Sequence, residues 1–204
     1  MYRNTVKRLV DFTIALVLVA VLLPVFLLIA LMVRLKLGSP VIFRQMRPGF
    51  RGRPFMIYKF RSLTNDTDDT GRLLPDVQRF TRFSAMLRRS SLDELPELVN
   101  VLKGDMSLVG PRPLLMQYLD RYDRQQARRH EVRPGITGWA QVNGRNTVSW
   151  EEKFTLDVWY VDHHDFLLDM RIMLMTIVQV YRQAGIHQKG HVTAAEFLGN
   201  RKDE

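Results

Sequence analysis

Between Phe12 and Val33 the chain has no charged residue. Such a run, as helix, reaches roughly 33 Å, enough for a bilayer core of about 30 Å. Pro24 follows Leu23 near its middle, where it removes a backbone donor and frees the carbonyl of Ala20. Beyond the run, "VIFRQ" (41–45) and "PFMIYKF" (54–60) are β-prone stretches separated by "MRPGFRGR", which predicts a hairpin. The polar stretch 63–76 reads as loop. In "VQRFTRFSAMLRR" (77–89), Phe80, Phe83, Met86 and Leu87 recur at helical spacing opposite a basic face, so this is an amphipathic helix, packed on the protein or lying on a membrane surface. Helices are also expected over 95–104, ended by Gly104, over 113–130, over 149–164 with a Ser149–Glu152 capping box, and over the almost wholly apolar 166–183. Residues 133–146 read as a long glycine-punctuated loop. The expected fold class is α+β, mostly helical: a membrane-associated segment over 1–38, a compact domain with a small β-hairpin and interfacial amphipathic helices over 39–185, and a C-terminal tail over 186–204.

Charge changes the reading of the apolar run. Residues 1–61 hold eleven Lys/Arg against one acid, Asp11, whereas the remainder holds 19 bases against 20 acids. The positive excess therefore brackets the run, which favours an anionic bilayer over nucleic acid as partner. Both flanks are basic, with Arg3, Lys7 and Arg8 before and Arg34 and Lys36 after. Lys and Arg prefer the cytoplasmic side, so a spanning helix strands one set, while a segment that breaks at Leu23-Pro24 and returns keeps both on that side. We read a re-entrant, monotopic helix–break–helix on the cytoplasmic face of the cytoplasmic membrane. The chain contains no cysteine, which excludes disulfides, Cys-ligated zinc and a thiol nucleophile. His163 and His164 are adjacent and cannot share one helix face, and the other histidines lack ligand spacing.

The candidate chemistry lies in "RRSSLDELPEL" (88–98). A Ser91–Glu94 capping box would make the acids mere helix starters. Pro96 fits better at the first helical position, with Leu95 as cap, which leaves Asp93 and Glu94 in a rigid turn near the helix's positive end. Two adjacent acids there, close to Arg88 and Arg89, suit a divalent ion or attack on phosphorus. In "VGPRPLL", Arg112 is clamped between Pro111 and Pro113, a simple turn or an arginine aimed at phosphate. Arg133 and Arg145 also occupy Gly/Pro loops. Three such arginines with an acidic pair, and no Walker or GxGxxG pattern, point to a pyrophosphate site built from side chains.

Taken together, "KFRSL" (59–63), "SLDELPELVNVLKGDMSLVGPRPLL" (91–115) and "RPGITGWAQVNGRN" (133–146) strongly resemble the bacterial monotopic phosphoglycosyl transferases, over roughly residues 1–185 and in their minimal form. That resemblance implies transfer of a sugar phosphate from a UDP-sugar to undecaprenyl phosphate, beginning glycoconjugate assembly, as in protein glycosylation. It implies Asp93 as nucleophile and Mg²⁺ ligand, Glu94 as its dyad partner, Arg88, Arg112 and Arg145 as phosphate contacts, and Pro111–Pro113 beside the nucleotide. The basic motif carrying Lys59 and Arg61 belongs to the same set. Leu23-Pro24 departs from the family's usual Ser-Pro break, and Arg61-Ser62 from its usual Arg-Thr. An N-acetylated amino sugar such as diacetylbacillosamine is the sugar the resemblance favours; a homodimer is left open. Two alternatives stand beside it: a membrane-anchored hydrolase of UDP-sugars, and a non-catalytic module binding anionic phospholipid.

Overall fold

The computed structural model describes residues 5–144, 148–182 and 196–199. Its elements run α1 (Lys7–Lys36), β1 (Ile42–Pro48), β2 (Pro54–Phe60), α2 (Asp76–Arg79), α3 (Arg82–Arg89), α4 (Glu97–Lys103), β3 (Ser107–Val109), α5 (Arg124–Ala127), β4 (Gly135–Thr137), α6 (Trp139–Asn143), α7 (Trp150–His163) and α8 (Phe166–Arg182). This is the mostly helical α+β arrangement expected, carrying two two-stranded sheets.

The apolar run forms one helical element with Pro24 inside it, where helix–break–helix was expected. One stripe of α1 faces protein along its whole length. Lys7, Asp11, Ala15, Ile29 and Val33 are buried, and half-buried Val19, Leu22, Val25 and Phe26 fill the interval between them. Ala15 joins the main core with Leu98, Val101, Met106 and Ile172. Val33 joins a second cluster with Ile29, Leu37, Phe60 and Leu87. The opposite face, including Leu16, Val21, Leu27 and Leu31, is exposed and apolar. Both ends of α1 are fastened to the same domain. At the start, Lys7 Nζ lies 2.5 Å from Asp169 Oδ2. Arg8 donates to the carbonyls of Val101 and Leu102, at the C-terminal end of α4 where the helix dipole is negative. At its finish, Arg61 donates to the carbonyls of Leu37 and Ser39.

The expected hairpin forms, pairing Ile42 with Phe60 and Pro48 with Pro54. The helix expected over 77–89 is split: Thr81 caps α3 through a capping box with Ser84, leaving α2 as a separate turn. The helix expected over 113–130 is replaced by 3₁₀ turns at Met116–Arg121 and Arg128–Glu131 around α5. Its register is broken at Asp123, which accepts from the Gln126 backbone and restarts the turn. Inside the stretch read as loop, Gly135–Thr137 pairs in parallel with Ser107–Val109. Of the C-terminal segment, the described residues 196–199 dock on the domain: Phe197 is buried among Tyr118, Tyr122, Trp150 and Phe154.

Candidate active site

Asp93 and Glu94 lie in a 3₁₀ turn, Leu92–Glu94, set by two backbone features. Ser91 before it has φ 54°, a left-handed conformation that turns the chain sharply out of α3. Pro96 after it is the N-cap of α4, one residue earlier in the helix frame than the first-turn position expected. Three cations from distant elements converge on this turn: Lys59 from β2, Arg88 from the last turn of α3, and Arg112 from the loop after β3.

Their distribution is unequal. Lys59 Nζ lies 2.7 Å from Glu94 Oε1, and Arg112 donates to both Glu94 oxygens, to Oε2 at 3.4 Å. Burial alone would raise Glu94, but Arg112 and Lys59 reverse this and hold it well below the usual carboxylate range. Asp93 has no hydrogen bond or ion pair to a described residue. Burial, with the charge of Glu94 beside it, pushes Asp93 up to about 6. A clamped acid and a free one therefore stand side by side. An acid absent from the sequence reading completes the group: Glu97, in the first turn of α4, is buried and 2.9 Å from Lys59 Nζ. Burial pushes Glu97 up to about 7. Its signal was present in the sequence as the third acid of "DELPE", one turn beyond Asp93.

The Pro111–Pro113 loop is held from behind. Gly135 donates to the Pro111 carbonyl at 3.1 Å. A Cβ on Gly135 would sit 2.1 Å from the Gly110 nitrogen, so this crossing of two backbones requires glycine. Arg129, fully buried, donates to the Arg112 carbonyl at 2.7 Å while paired to Asp157 at 2.7 Å. Nothing in the sequence singles out Arg129, because its partner lies on a different element, α7.

The remaining expected residues divide. Arg88 donates to Ser62 Oγ at 3.0 Å and its charge reaches Asp93. Arg61 borders the site, but its guanidinium is spent on the carbonyls that end α1. Leu23 is exposed on α1, with Pro24 beside it and outside the cluster. Arg145 lies outside the described residues. The acids open onto a cleft of about 1720 Å³. Its lining combines charged side chains, Lys59, Arg88, Asp93 and Arg112, with apolar ones, Leu18 and Leu22 of α1 and Met173 and Ile177 of α8. No set of three His, Asp or Glu among the described residues forms a metal cage. One free carboxylate fits a magnesium ion held mainly by the phosphates of a ligand.

A cleft that joins clustered cations and a free carboxylate to an apolar helical wall suits chemistry between a water-soluble phosphate compound and a lipid. The chain belongs to the bacterial sugar transferase family, whose profile matches residues 2–183. It is 56% identical over 194 residues to the uncharacterized sugar transferase EpsL of Bacillus subtilis (strain 168), covering 95% of this chain and 96% of that one. It is 41% identical to the UDP-glucose:undecaprenyl-phosphate glucose-1-phosphate transferase of Xanthomonas campestris pv. campestris, over 89% of this chain and 40% of that protein. It is 37% identical to the UDP-N-acetylgalactosamine-undecaprenyl-phosphate N-acetylgalactosaminephosphotransferase of Aeromonas hydrophila, over 84% of this chain and 43% of that protein. The chain thus spans under half the length of these last two relatives.

Proposed function

We propose that this protein is a phosphoglycosyl transferase that moves a sugar 1-phosphate from a UDP-sugar to undecaprenyl phosphate and releases UMP, the first membrane step of glycoconjugate assembly. The observation that carries the reading is the free carboxylate of Asp93 beside the doubly clamped Glu94, in a cleft lined by both cationic and apolar side chains. The relatives' names supply the substrate classes, glucose in one and N-acetylgalactosamine in another. Within that range we favour an N-acetylated amino sugar.

The chemistry follows from the arrangement. An oxygen of Asp93 attacks the sugar-bearing phosphorus, the bridging P–O bond breaks, and UMP leaves with the bridging oxygen. The sugar phosphate is then carried on Asp93. An oxygen of undecaprenyl phosphate attacks the same phosphorus, the aspartyl P–O bond breaks, and polyprenyl diphosphate sugar departs. Splitting the transfer keeps two anionic substrates from having to meet in one step. Glu94 holds Lys59 and Arg112 in place, so the cations face the phosphoryl group without quenching the nucleophile. Asp93 would also supply the protein ligand to Mg²⁺, which when bound neutralises phosphate charge.

α1 is read as a monotopic anchor. Support comes from its two ends, both fastened to one domain, and from the protein-facing stripe that continues between them. A helix crossing the bilayer would carry its far end away from that domain. The test is a screen of UDP-sugars with purified protein, following UMP. We expect a burst equal to the enzyme present without acceptor, and turnover on adding undecaprenyl phosphate. Continuous UMP release without lipid would instead identify the hydrolase.

A further inference from the structure

The segment expected as a tail is tied down where it is described, over residues 196–199. Both backbone groups of Phe197 are used. Its amide donates to the Tyr118 hydroxyl at 3.1 Å, and its carbonyl accepts from Arg121. Glu196 Oε1 accepts from Gln117 at 2.6 Å and from Arg121 at 2.8 Å. The Phe197 ring is 4% exposed. Its centroid lies 5.0 Å from that of Phe154, 5.7 Å from those of Tyr118 and Trp150, and 6.0 Å from that of Tyr122. Chain ends stay loose unless they are tied down. A segment whose backbone and one large ring are all satisfied by the domain is part of that domain's wall.

The rings that receive Phe197 lead to the acid pair by two sets of contacts. Leu114, the residue after Pro113, lines the cleft and is buried in the same cluster as Phe197. Tyr122 and Phe154 also carry Arg129. Its guanidinium carbon lies 5.9 Å and 5.7 Å from their centroids, and its Nη1 donates to the Tyr122 hydroxyl at 3.3 Å. Arg129 in turn donates to the Arg112 carbonyl at 2.7 Å. The loop that aims Arg112 at Glu94 is therefore held at Arg112 and at Leu114, each time by groups that rest on the aromatic cluster Phe197 completes. A ring removed from a close-packed cluster leaves space into which its neighbours turn.

We propose that residues 196–199 form a strap whose Phe197 is a positioning residue for Arg112: it completes the aromatic cluster behind the Pro111–Pro113 loop and so fixes that loop against the cleft. Its bearing on the chemistry rests on the transferase reading, in which Arg112 faces the transferring phosphoryl group. Phe197 touches no reacting atom; it acts through Leu114 and Arg129.

The test is hydrogen–deuterium exchange of the full chain in lipid nanodiscs, with the UMP burst of the same samples. In Phe197→Ala the amides of 110–115 should exchange about tenfold faster, while those of α4, which packs in the main core, exchange as in wild type. The burst should slow by about tenfold at saturating donor. Phe197→Leu, which refills most of the space, should fall between the two, and Leu198→Ala, at an exposed position, should match wild type. Unchanged exchange over 110–115, or equal acceleration there and in α4, overturns the strap. A loosened loop with an unaltered burst overturns its service to the site. If Phe197→Ala does not fold, Phe197→Leu and Arg121→Gln, which removes the donor to Glu196 and to the Phe197 carbonyl, decide by the same comparison. Wild-type protein that releases no UMP from any UDP-sugar overturns the transferase reading, and the exchange data then decide the strap alone.

Discussion

Asp93 and Glu94 are consecutive residues in opposite electrostatic states. Glu94 is gripped by Lys59 and Arg112, while Asp93, in the same turn, has neither. The cause is geometric. In the tight turn after Ser91 the two side chains diverge, and only one meets the cations brought by β2 and the Pro111–Pro113 loop. The Asp93 carboxylate is kept available because its neighbour absorbs the local positive charge.

Replacing Asp93 by Asn should abolish sugar-phosphate transfer and the UMP burst, yet stabilise the protein. The Asp93 carboxyl is lifted from 3.8 to about 6, so the folded state binds that proton more tightly than the unfolded chain. Its ionised form therefore weakens the fold above about pH 6, a penalty relieved as pH falls through that value. At pH 8 the gain from Asn is about 3 kcal/mol. Thermal melting at pH 8 in nanodiscs should show a rise of several degrees; a fall would mean the carboxylate is paired.

The transfer rate should decline as pH falls below about 6, because the proposed attack needs ionised Asp93. Glu94→Gln should move this acid limb lower while cutting the rate. It removes the neighbouring negative charge and frees Lys59 and Arg112 to pair with Asp93. A pH–rate profile of the burst phase in both proteins checks this; an acid limb at the same pH in the variant would contradict it.

Arg129 and Asp157 form a buried pair behind Arg112. Arg129→Ala should cost about 3–5 kcal/mol, since it strips the buried Asp157 carboxylate of its hydrogen-bonded partner and leaves only the Lys153 charge to offset it. The double variant Arg129→Ala/Asp157→Ala should lose less than the sum of the singles in a denaturation cycle. Strict additivity would show that the two groups do not act as a pair.

The absence of native cysteine makes topology directly measurable. Thr5→Cys and Ser39→Cys bracket α1. With a monotopic helix, neither should react with a membrane-impermeant maleimide added to intact cells, and both should react after lysis. Labelling of one site in intact cells would mean that α1 crosses.

Much of this was written locally in the chain. The β-prone runs at 41–45 and 54–60, with the turn residues between them, specify the hairpin, Ser149 and Glu152 open α7, and Gly104 closes α4, each through contacts within a few residues. The acid pair, the proline-clamped Arg112 and the apolar run between basic flanks were equally legible. By itself the sequence determined these pieces, because periodicity, capping and turn chemistry act over short range. Tertiary structure alone decided which of the two acids is free, because that depends on Lys59, 35 positions before Glu94, and on Arg112, 18 after it. It alone turned Arg61 to the end of α1, broke 113–130 into short turns, and set Arg129 against Asp157, 28 residues away. A charged side chain settles on the nearest buried partner, and nearness across elements is a property of the folded chain.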